Sequence, residues 1–197
     1  MDRLKRNFFT RDTLTVANEL LGKKLVRKFN GKLLTGMIVE TEAYLGTSDT
    51  ACHAHKGKTL RNSVMFGKPG IVYIYFVYGM HYMLNIVTET EGNPCAVLLR
   101  AIVPLEGKQQ MQKLRGRGGK DMTNGPAKLC QAMAVDKTLN GLDLTLGEIL
   151  WIENYKTISE QFVSAGPRIG IDFAELNDRL APLRIWIKNE FLLNPQA

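Results

Sequence analysis

The segment 37–46 constrains the fold most, because it combines a strand-forming run with two carboxylates and an aromatic ring. Strand side chains alternate between two faces, so Glu40, Glu42 and Tyr44 are predicted to share one face with Ile38. The opposite face, suited to a core, is predicted to hold Met37, Val39, Thr41 and Ala43. Unpaired carboxylates rarely enter a core. The segment is therefore either an edge strand with a solvated acidic face, or a strand carrying a catalytic carboxylate beside a ring for stacking.

A strong turn signal precedes this segment. Asn30-Gly31 separates two strand-like runs, 23–29 and 32–41, and favours a two-residue β-hairpin. Glu42 is therefore expected at the end of a hairpin arm, where a strand meets a loop and where sites are usually built.

The remaining sequence alternates strand, helix and loop signals. Further strands are predicted at 71–79, 81–88, 95–103, 149–153, 168–171 and 183–188. Helices are predicted from Thr10 or Asp12 to about Leu21, over 126–133 and over 174–180. A long polar loop is expected over 47–68. The predicted fold class is α/β in the α+β sense: a single compact domain, residues 1–197, with a curved, mostly antiparallel sheet and peripheral helices.

Charge indicates a polyanionic partner. The 197 residues carry a net charge of +7, and such a surplus favours nucleic acid over a membrane surface. A mobile basic loop is expected over 107–125, either as a solvated linker or in contact with phosphates. Its charged residues are Lys108, Lys113, Arg115, Arg117 and Lys120.

Membrane, disulfide and metal signals are weak in this sequence. No run of about 18 apolar residues predicts a membrane helix, and the N-terminal residues do not resemble a signal peptide, so an intracellular protein is expected. Cys52, Cys95 and Cys130 are too widely spaced to predict a disulfide framework or a zinc site. His53 and His55 flank Cys52 closely, but a metal needs more ligands. We therefore expect no metal and no cofactor.

Polar residues in apolar runs identify candidate functional positions. Arg100 interrupts a buried strand and should pair with a carboxylate, for which Glu42 is the candidate. Asn85 lies inside another apolar run and needs a partner or a function. Tyr78 precedes Gly79 at a predicted turn and is expected to project from a hairpin tip, whereas Tyr73 is expected to pack in the sheet.

Three function classes fit these features. A carboxylate can activate water as a general base, and aromatic rings can stack a planar ligand. A basic surface can hold DNA. Together these features suggest an enzyme that removes a base extruded from a duplex. Glu40 and Glu42 could instead form the carboxylate pair of a sugar-directed glycoside hydrolase. A nucleic-acid-binding module that only stacks bases is the third class.

The sequence resembles the alkyladenine DNA glycosylase family, also called 3-methyladenine DNA glycosylases of the AAG type. The similarity covers about residues 8–188. The matching segments are Val39-Glu-Thr-Glu-Ala-Tyr-Leu-Gly46 with His53, Arg61-Asn62, Met65-Phe66, Pro69-Gly70, Tyr73-Ile-Tyr-Phe-Val-Tyr-Gly-Met80, Asn85, Leu98-Leu-Arg-Ala101, Asn124-Gly-Pro126, Lys128-Leu-Cys-Gln-Ala132 and Pro167-Arg-Ile-Gly170.

The resemblance implies a monofunctional DNA N-glycosylase that flips an alkylated or deaminated purine out of duplex DNA and hydrolyses its glycosidic bond. Glu42 would activate the water, and Arg100 would help to hold that water and Glu42. The implied base-binding residues are Tyr44, His53, Tyr75 and Asn85, and the implied wedge in the duplex is Tyr78. The resemblance also implies double-stranded DNA with damaged purines as the partner, and an α/β domain with a curved antiparallel sheet. A monomer is the default expectation, in the cytoplasm and with the nucleoid if the source is bacterial.

Overall fold

An open sheet of eight antiparallel strands organises the computed structural model, which describes residues 2–193 without the side chain of Lys120. The strands are β1 Lys24–Phe29, β2 Lys32–Tyr44, β3 Val72–Val77, β4 His81–Thr88, β5 Cys95–Glu106, β6 Leu150–Glu153, β7 Val163–Gly166 and β8 Arg184–Ile187. The α-helices are α1 Arg6–Phe9, α2 Thr13–Glu19, α3 Lys108–Arg115, α4 Pro126–Ala132, α5 Leu176–Leu180 and α6 Asn189–Leu193. The predicted α+β class with an antiparallel sheet is confirmed.

Strand β2 is the centre of the sheet, whose main order is β3-β4-β5-β2-β1-β6. On one side β2 pairs with β5 along most of its length. On the other side its first half pairs with β1 and residues Glu40 to Glu42 pair with β8. Glu42 therefore lies on a central strand with neighbours on both sides, and the alternative of an edge strand with a solvated acidic face is wrong.

Two of the three register shifts in the β2–β5 ladder break the simple alternation predicted for β2. The ladder with β5 shifts between Ile38 and Glu40 and again between Glu40 and Thr41. Such β-bulges re-aim the side chains that follow them. Ile38, which was predicted to share the carboxylate face, packs in the main core instead, whereas Thr41 and Ala43 face inward as predicted.

The predicted hairpins are confirmed. Asn30 and Gly31 both have positive φ angles, as the tight turn between β1 and β2 requires. Strands β3 and β4 pair from Val72 opposite Ile86 to Val77 opposite His81, so residues 78–80 form the hairpin tip. Helix α2 begins at the predicted cap, because the Asp12 carboxylate accepts a hydrogen bond from the Thr15 amide at 2.8 Å.

The two faces of β3, β4 and β5 have different roles. One face carries Val72, Ile74, Leu84 and Leu99 into the main core, where α2 and α4 pack against the sheet. The other face carries a smaller cluster that joins the sheet to the long loop 45–71: Cys52, Ala54, Met65, Tyr73, Val87 and Ala96. That second face is only partly covered, and the space left open becomes a cleft.

The prediction of a mobile basic loop over 107–125 is wrong for the first half of that segment, which forms helix α3. Gly107 and Gly116 suggested a loop, but both take left-handed conformations that bracket the helix. Met111 is fully buried and Leu114 packs against the same core, three residues apart on one helical side. The side chain of Lys120, also named in that prediction, lies outside the described residues.

The prediction of a strand at 168–171 is also wrong. The two isoleucines suggested a strand, but Gly170 has a φ of +78° and Arg168 is buried as one partner of an ion pair. The segment is an irregular loop that crosses the end of β2. The strand that pairs with β8 is β7, five residues earlier.

The described part of the chain contains no helix with the length and apolar character needed to cross a bilayer. The single domain predicted over residues 1–197 stays a prediction, and residues 1 and 194–197 lie outside the described range.

Substitution of the two glycines that bracket α3 tests how that helix is held. A Cβ on Gly107 would lie 2.5 Å from the Leu33 carbonyl oxygen, whereas a Cβ on Gly116 would meet nothing within 4 Å. Gly116→Ala should therefore lower the free energy of unfolding only by the strain of a left-handed residue, about 1–2 kcal/mol. Gly107→Ala should lower it distinctly more, because the backbone of β2 must also move. Urea unfolding monitored by circular dichroism measures both, and equal losses would contradict the tight approach to β2.

Candidate active site

A cleft of about 510 Å³ opens on the second face of the sheet. Its floor is formed by side chains of β3, β4 and β5, and its walls come from loop 45–71 and from residues 169–173. This size lies within the range of small-molecule sites. Of the residues predicted for a site, the structure places Tyr44, His53, Tyr75, Tyr78, Asn85 and Arg100 on its lining.

Glu42 lies directly behind the cleft wall and has no exposed surface. Its Oε1 forms an ion pair with Nη1 of Arg100 at 3.0 Å and accepts a hydrogen bond from the Ile169 amide at 2.8 Å. Its Oε2 accepts a hydrogen bond from the Tyr44 hydroxyl at 2.9 Å. All three partners belong to residues that line the cleft. The carboxylate is thus held in one orientation by groups that also form the wall in front of it.

Arg100 joins Glu42 to a second carboxylate. Its Nε donates to Glu40 Oε1 at 3.0 Å, and the same oxygen accepts from Arg184 at 3.1 Å. Burial by itself would lower the pKa of Arg100, but the charges of Glu42 and Glu40 outweigh burial and raise it. The pairing of Arg100 with Glu42, predicted from sequence, is present. Glu40 is already shared by two guanidinium groups, which leaves it poorly suited to act as the second carboxylate of a glycoside hydrolase.

Three rings form one side of the cleft. His53 lies edge-on to Tyr75 with ring centroids 4.4 Å apart, and Tyr75 lies 5.7 Å from Tyr73. Arg61 lies over the Tyr75 ring at 5.9 Å. Because His53 and Tyr75 are in direct contact, a planar base can enter between them only if these rings separate. Their predicted roles in binding the base stay predictions.

His53 is held by a residue that sequence analysis treated as packing alone. The Tyr73 hydroxyl lies 2.9 Å from His53 Nδ1. Burial raises the pKa of Tyr73 to about 12, so the hydroxyl keeps its proton. With Tyr73 as the donor, a neutral His53 carries its proton on Nε2, the nitrogen left free for a ligand.

The pKa of His53 is lowered, to about 4, first by burial and then by the nearby Arg61 charge. More than a third of the residue is nevertheless exposed, and solvent contact limits how far burial can depress the value. His53 is neutral at neutral pH.

Asn85 lies on the cleft floor and is 3% exposed. Its Nδ2 donates to the Tyr73 carbonyl at 3.2 Å and to the Met83 carbonyl at 3.3 Å. The side chain therefore bonds a neighbouring strand and lines the cleft at the same time. These two bonds fix its orientation, which a rigid wall for discriminating bases would need.

Tyr78 occupies the tip of the β3–β4 hairpin at the cleft edge. It is 85% exposed and has a φ of +52°, a left-handed conformation that is uncommon for a bulky residue. Met80 beside it is 65% exposed. The expected projection of Tyr78 from a hairpin tip is confirmed, and its strained, solvent-facing position has no packing explanation.

Sequence analysis missed a buried ion pair next to Glu42. Arg168 binds Asp49 through both of its terminal nitrogens, and both side chains are almost completely buried. Arg168 was noted as part of a matching segment, but no role was given to it. Asp49 lies in a polar loop, and nothing in its local sequence indicates burial.

Comparison with known proteins identifies relatives along nearly the whole chain. The family model described as "Methylpurine-DNA glycosylase (MPG)" matches residues 7–191. A protein of Methanocella arvoryzae is 46% identical over 100% of this chain and 98% of its own length. A protein of Carboxydothermus hydrogenoformans is 48% identical over 94% of this chain and 95% of its own. Both carry the name "Putative 3-methyladenine DNA glycosylase".

The environment of His53 can be tested by NMR titration of its ring. We expect a pKa below the ordinary value of 6.5, and Arg61→Gln should raise it because a nearby positive charge is removed. Lys58→Gln is the control, since Lys58 lies over Phe66 instead of over the rings beside His53. An unshifted wild-type value, or the same change in both variants, would show that Arg61 does not act on His53.

Proposed function

We propose that this chain, which belongs to the methylpurine-DNA glycosylase family and is a DNA glycosylase that hydrolyses N-glycosyl bonds, uses Glu42 to activate a water that attacks the sugar carbon bearing a damaged purine flipped out of duplex DNA. The products are the free base and an abasic site. The observation that carries this proposal is the buried carboxylate of Glu42, oriented by one ion pair and two hydrogen bonds immediately behind a cleft lined with aromatic rings.

The carboxylate suits the charge that develops in this reaction. Departure of a purine leaves cationic character on the sugar, which a nearby carboxylate stabilises while it accepts a proton from water. Since Glu42 has no exposed surface, binding of the flipped nucleotide must shift part of the wall formed by Tyr44, Arg100 and Ile169 and admit a water. Catalytic contacts that form only in the complex are common in enzymes. Arg100, bonded to Glu42, lines the cleft and would hold the water from the other side.

The hairpin tip supports base flipping. Tyr78 is the most exposed ring on the cleft lining, and a left-handed backbone holds it away from the sheet. We propose that it enters the duplex at the position vacated by the base, offsetting an unstacking cost of a few kcal/mol. Met80 would contact the duplex next to it.

The cleft favours electron-poor purines. Tyr44, His53 and Tyr75 offer ring faces, and such faces attract cationic, alkylated bases. The names of the relatives indicate 3-methyladenine. We propose 3-methyladenine, 7-methylguanine, hypoxanthine and ethenoadenine as the substrate class, with the net charge of +7 drawing the enzyme to duplex DNA as a monomer in the compartment that holds the chromosome.

Glu42→Gln tests the chemistry. It keeps the size of the side chain but removes the base, so single-turnover release of methylpurines from methylated duplex DNA should fall about 10²–10⁴-fold. Affinity for a duplex with an abasic-site analogue should be largely kept. The matched control is Glu153→Gln on β6, a buried carboxylate paired with Lys24 away from the cleft. Near-normal release by Glu42→Gln would refute the mechanism.

Asn85→Ser tests the selectivity of the cleft floor. Adenine and hypoxanthine carry hydrogen at the purine 2-position, where guanine carries an amino group, so a fixed amide can exclude guanine by steric clash. Shortening the side chain should raise guanine release relative to hypoxanthine release. Chromatography of the freed bases measures the ratio. If both rates fall together at an unchanged ratio, Asn85 only supports the sheet.

A further inference from the structure

We propose that the buried Arg168–Asp49 ion pair is a positioning device for Glu42, setting the orientation of its carboxylate without touching it. The inference rests on the proposed role of Glu42 as the base. The two groups that hydrogen-bond Glu42, the Ile169 amide and the Tyr44 hydroxyl, are placed by this pair, and neither residue of the pair lines the cleft.

The pair joins three separate segments of the chain. Arg168 donates to the two Asp49 oxygens at 2.5 and 2.8 Å, and to the Ala43 carbonyl at the end of β2 at 2.9 Å. Asp49 in turn accepts from the amides of Leu45 and Ala51, each at 3.0 Å. Each Asp49 oxygen is thus bonded to one guanidinium nitrogen and one backbone amide. The loop after β2 and the loop before α5 are fixed to each other at this point.

The first link to Glu42 runs through the backbone. Ile169 follows Arg168 directly, and its amide donates to Glu42 Oε1 at 2.8 Å. The Ile169 side chain is 55% exposed, so packing of that side chain does little to hold the amide in place. The segment also contains Gly170 with a left-handed φ of +78°. The anchored guanidinium of Arg168 therefore restrains this donor, together with the hydrogen bond from Arg184 Nε to the Pro167 carbonyl at 2.9 Å.

The second link runs through an aromatic ring. The Arg168 guanidinium carbon lies 4.7 Å from the centre of the Tyr44 ring. The Tyr44 hydroxyl donates to Glu42 Oε2 at 2.9 Å. Burial and the Glu42 charge raise the pKa of Tyr44 well above its usual value, so this hydroxyl stays protonated and remains a donor. A guanidinium over its face fixes the plane of the ring and hence the direction of the O–H bond.

Asp49 determines where the guanidinium of Arg168 lies. Burial would lower the pKa of Arg168, but the hydrogen bonds and charge of Asp49 outweigh burial and raise it. Nε of Arg168 is buried, and among the described residues it has no hydrogen-bond partner. The guanidinium is therefore held on Asp49 by its two terminal nitrogens. Loss of the Asp49 charge should let the guanidinium shift, and the Ile169 amide and the Tyr44 ring should shift with it.

The test compares Asp49→Asn with Glu153→Gln, which removes a similarly buried, paired carboxylate away from the cleft. Single-turnover release of methylpurines from methylated duplex DNA is measured at saturating enzyme, with affinity for an abasic-site duplex measured in parallel. Because a displacement of about 1 Å can cost about 10²-fold in rate, we expect Asp49→Asn to slow release 10–100-fold. Affinity should change little, and Glu153→Gln should leave the rate near that of wild type.

A double variant separates positioning from general damage. If Asp49 acts through Glu42, then adding Asp49→Asn to Glu42→Gln should cost no more than about twofold further. If Asp49 had a purely structural role, Asp49→Asn would lower the release rate by the same factor in wild type and in Glu42→Gln. That result would overturn the proposal. Equal rates for Asp49→Asn and Glu153→Gln would also overturn it.

Two further variants keep the test decisive if Asp49→Asn folds poorly. Asp49→Asn with Arg168→Gln removes both buried charges, and the folded protein should still release base slowly. Arg168→Lys keeps the charge but loses the bidentate contact with Asp49. Its release rate should lie between that of wild type and that of the double variant Asp49→Asn, Arg168→Gln. Wild-type rates in both would overturn the proposal. Full activity of Glu42→Gln is a distinct result, since it would refute the proposed role of Glu42 itself.

Discussion

The burial of Glu42 beside Arg100 is the constraint on which the rest of the site depends. A carboxylate without exposed surface is costly unless it is paired and hydrogen-bonded. Arg100 supplies the opposite charge, and Tyr44 and Ile169 supply the remaining donors. Removing one partner from such a group leaves an uncompensated polar atom, so the elements that carry these donors must keep their mutual positions.

That requirement explains the architecture around the centre of the sheet. Arg100 comes from β5, Glu42 from β2 and the Ile169 amide from the loop before α5. Two of the three register shifts between β2 and β5 fall at Glu40, the residue that shares Arg100 with Glu42. A regular ladder would place these side chains differently, because bulges re-aim the residues that follow them. The site is thus built where the sheet departs from regular pairing.

The cleft combines a rigid floor with walls made of loops. Its floor consists of paired strands, whereas loop 45–71 and residues 169–173 form the sides. Membership of the methylpurine-DNA glycosylase family gives the reaction type, hydrolysis of an N-glycosyl bond in DNA. Loop residues can adjust around this fixed floor. His53 belongs to loop 45–71 and Tyr75 to β3, so their ring contact can open by movement of the loop without loss of the core.

The sequence by itself determined the local structure and most of the candidate residues. Asn30-Gly31 specified a hairpin because both positions need positive φ, and the run before Gly79 specified a strand ending at an exposed tip. Arg100 in an apolar strand required a carboxylate, and Glu42 is that partner. Failures came where local signals conflicted with distant contacts: glycines suggested a loop where Met111 anchors a helix, and isoleucines suggested a strand where Arg168 binds Asp49.

Only the tertiary structure decided how these residues meet. Asp49 and Arg168 are 119 residues apart, and neither shows locally that it will be buried against the other. The hydroxyl of Tyr73 on His53, the amide of Ile169 on Glu42 and the bulges beside Glu40 likewise depend on elements far apart in the chain. Periodicity and turn chemistry act over a few residues, whereas burial of a charge is set by whichever distant group can compensate it.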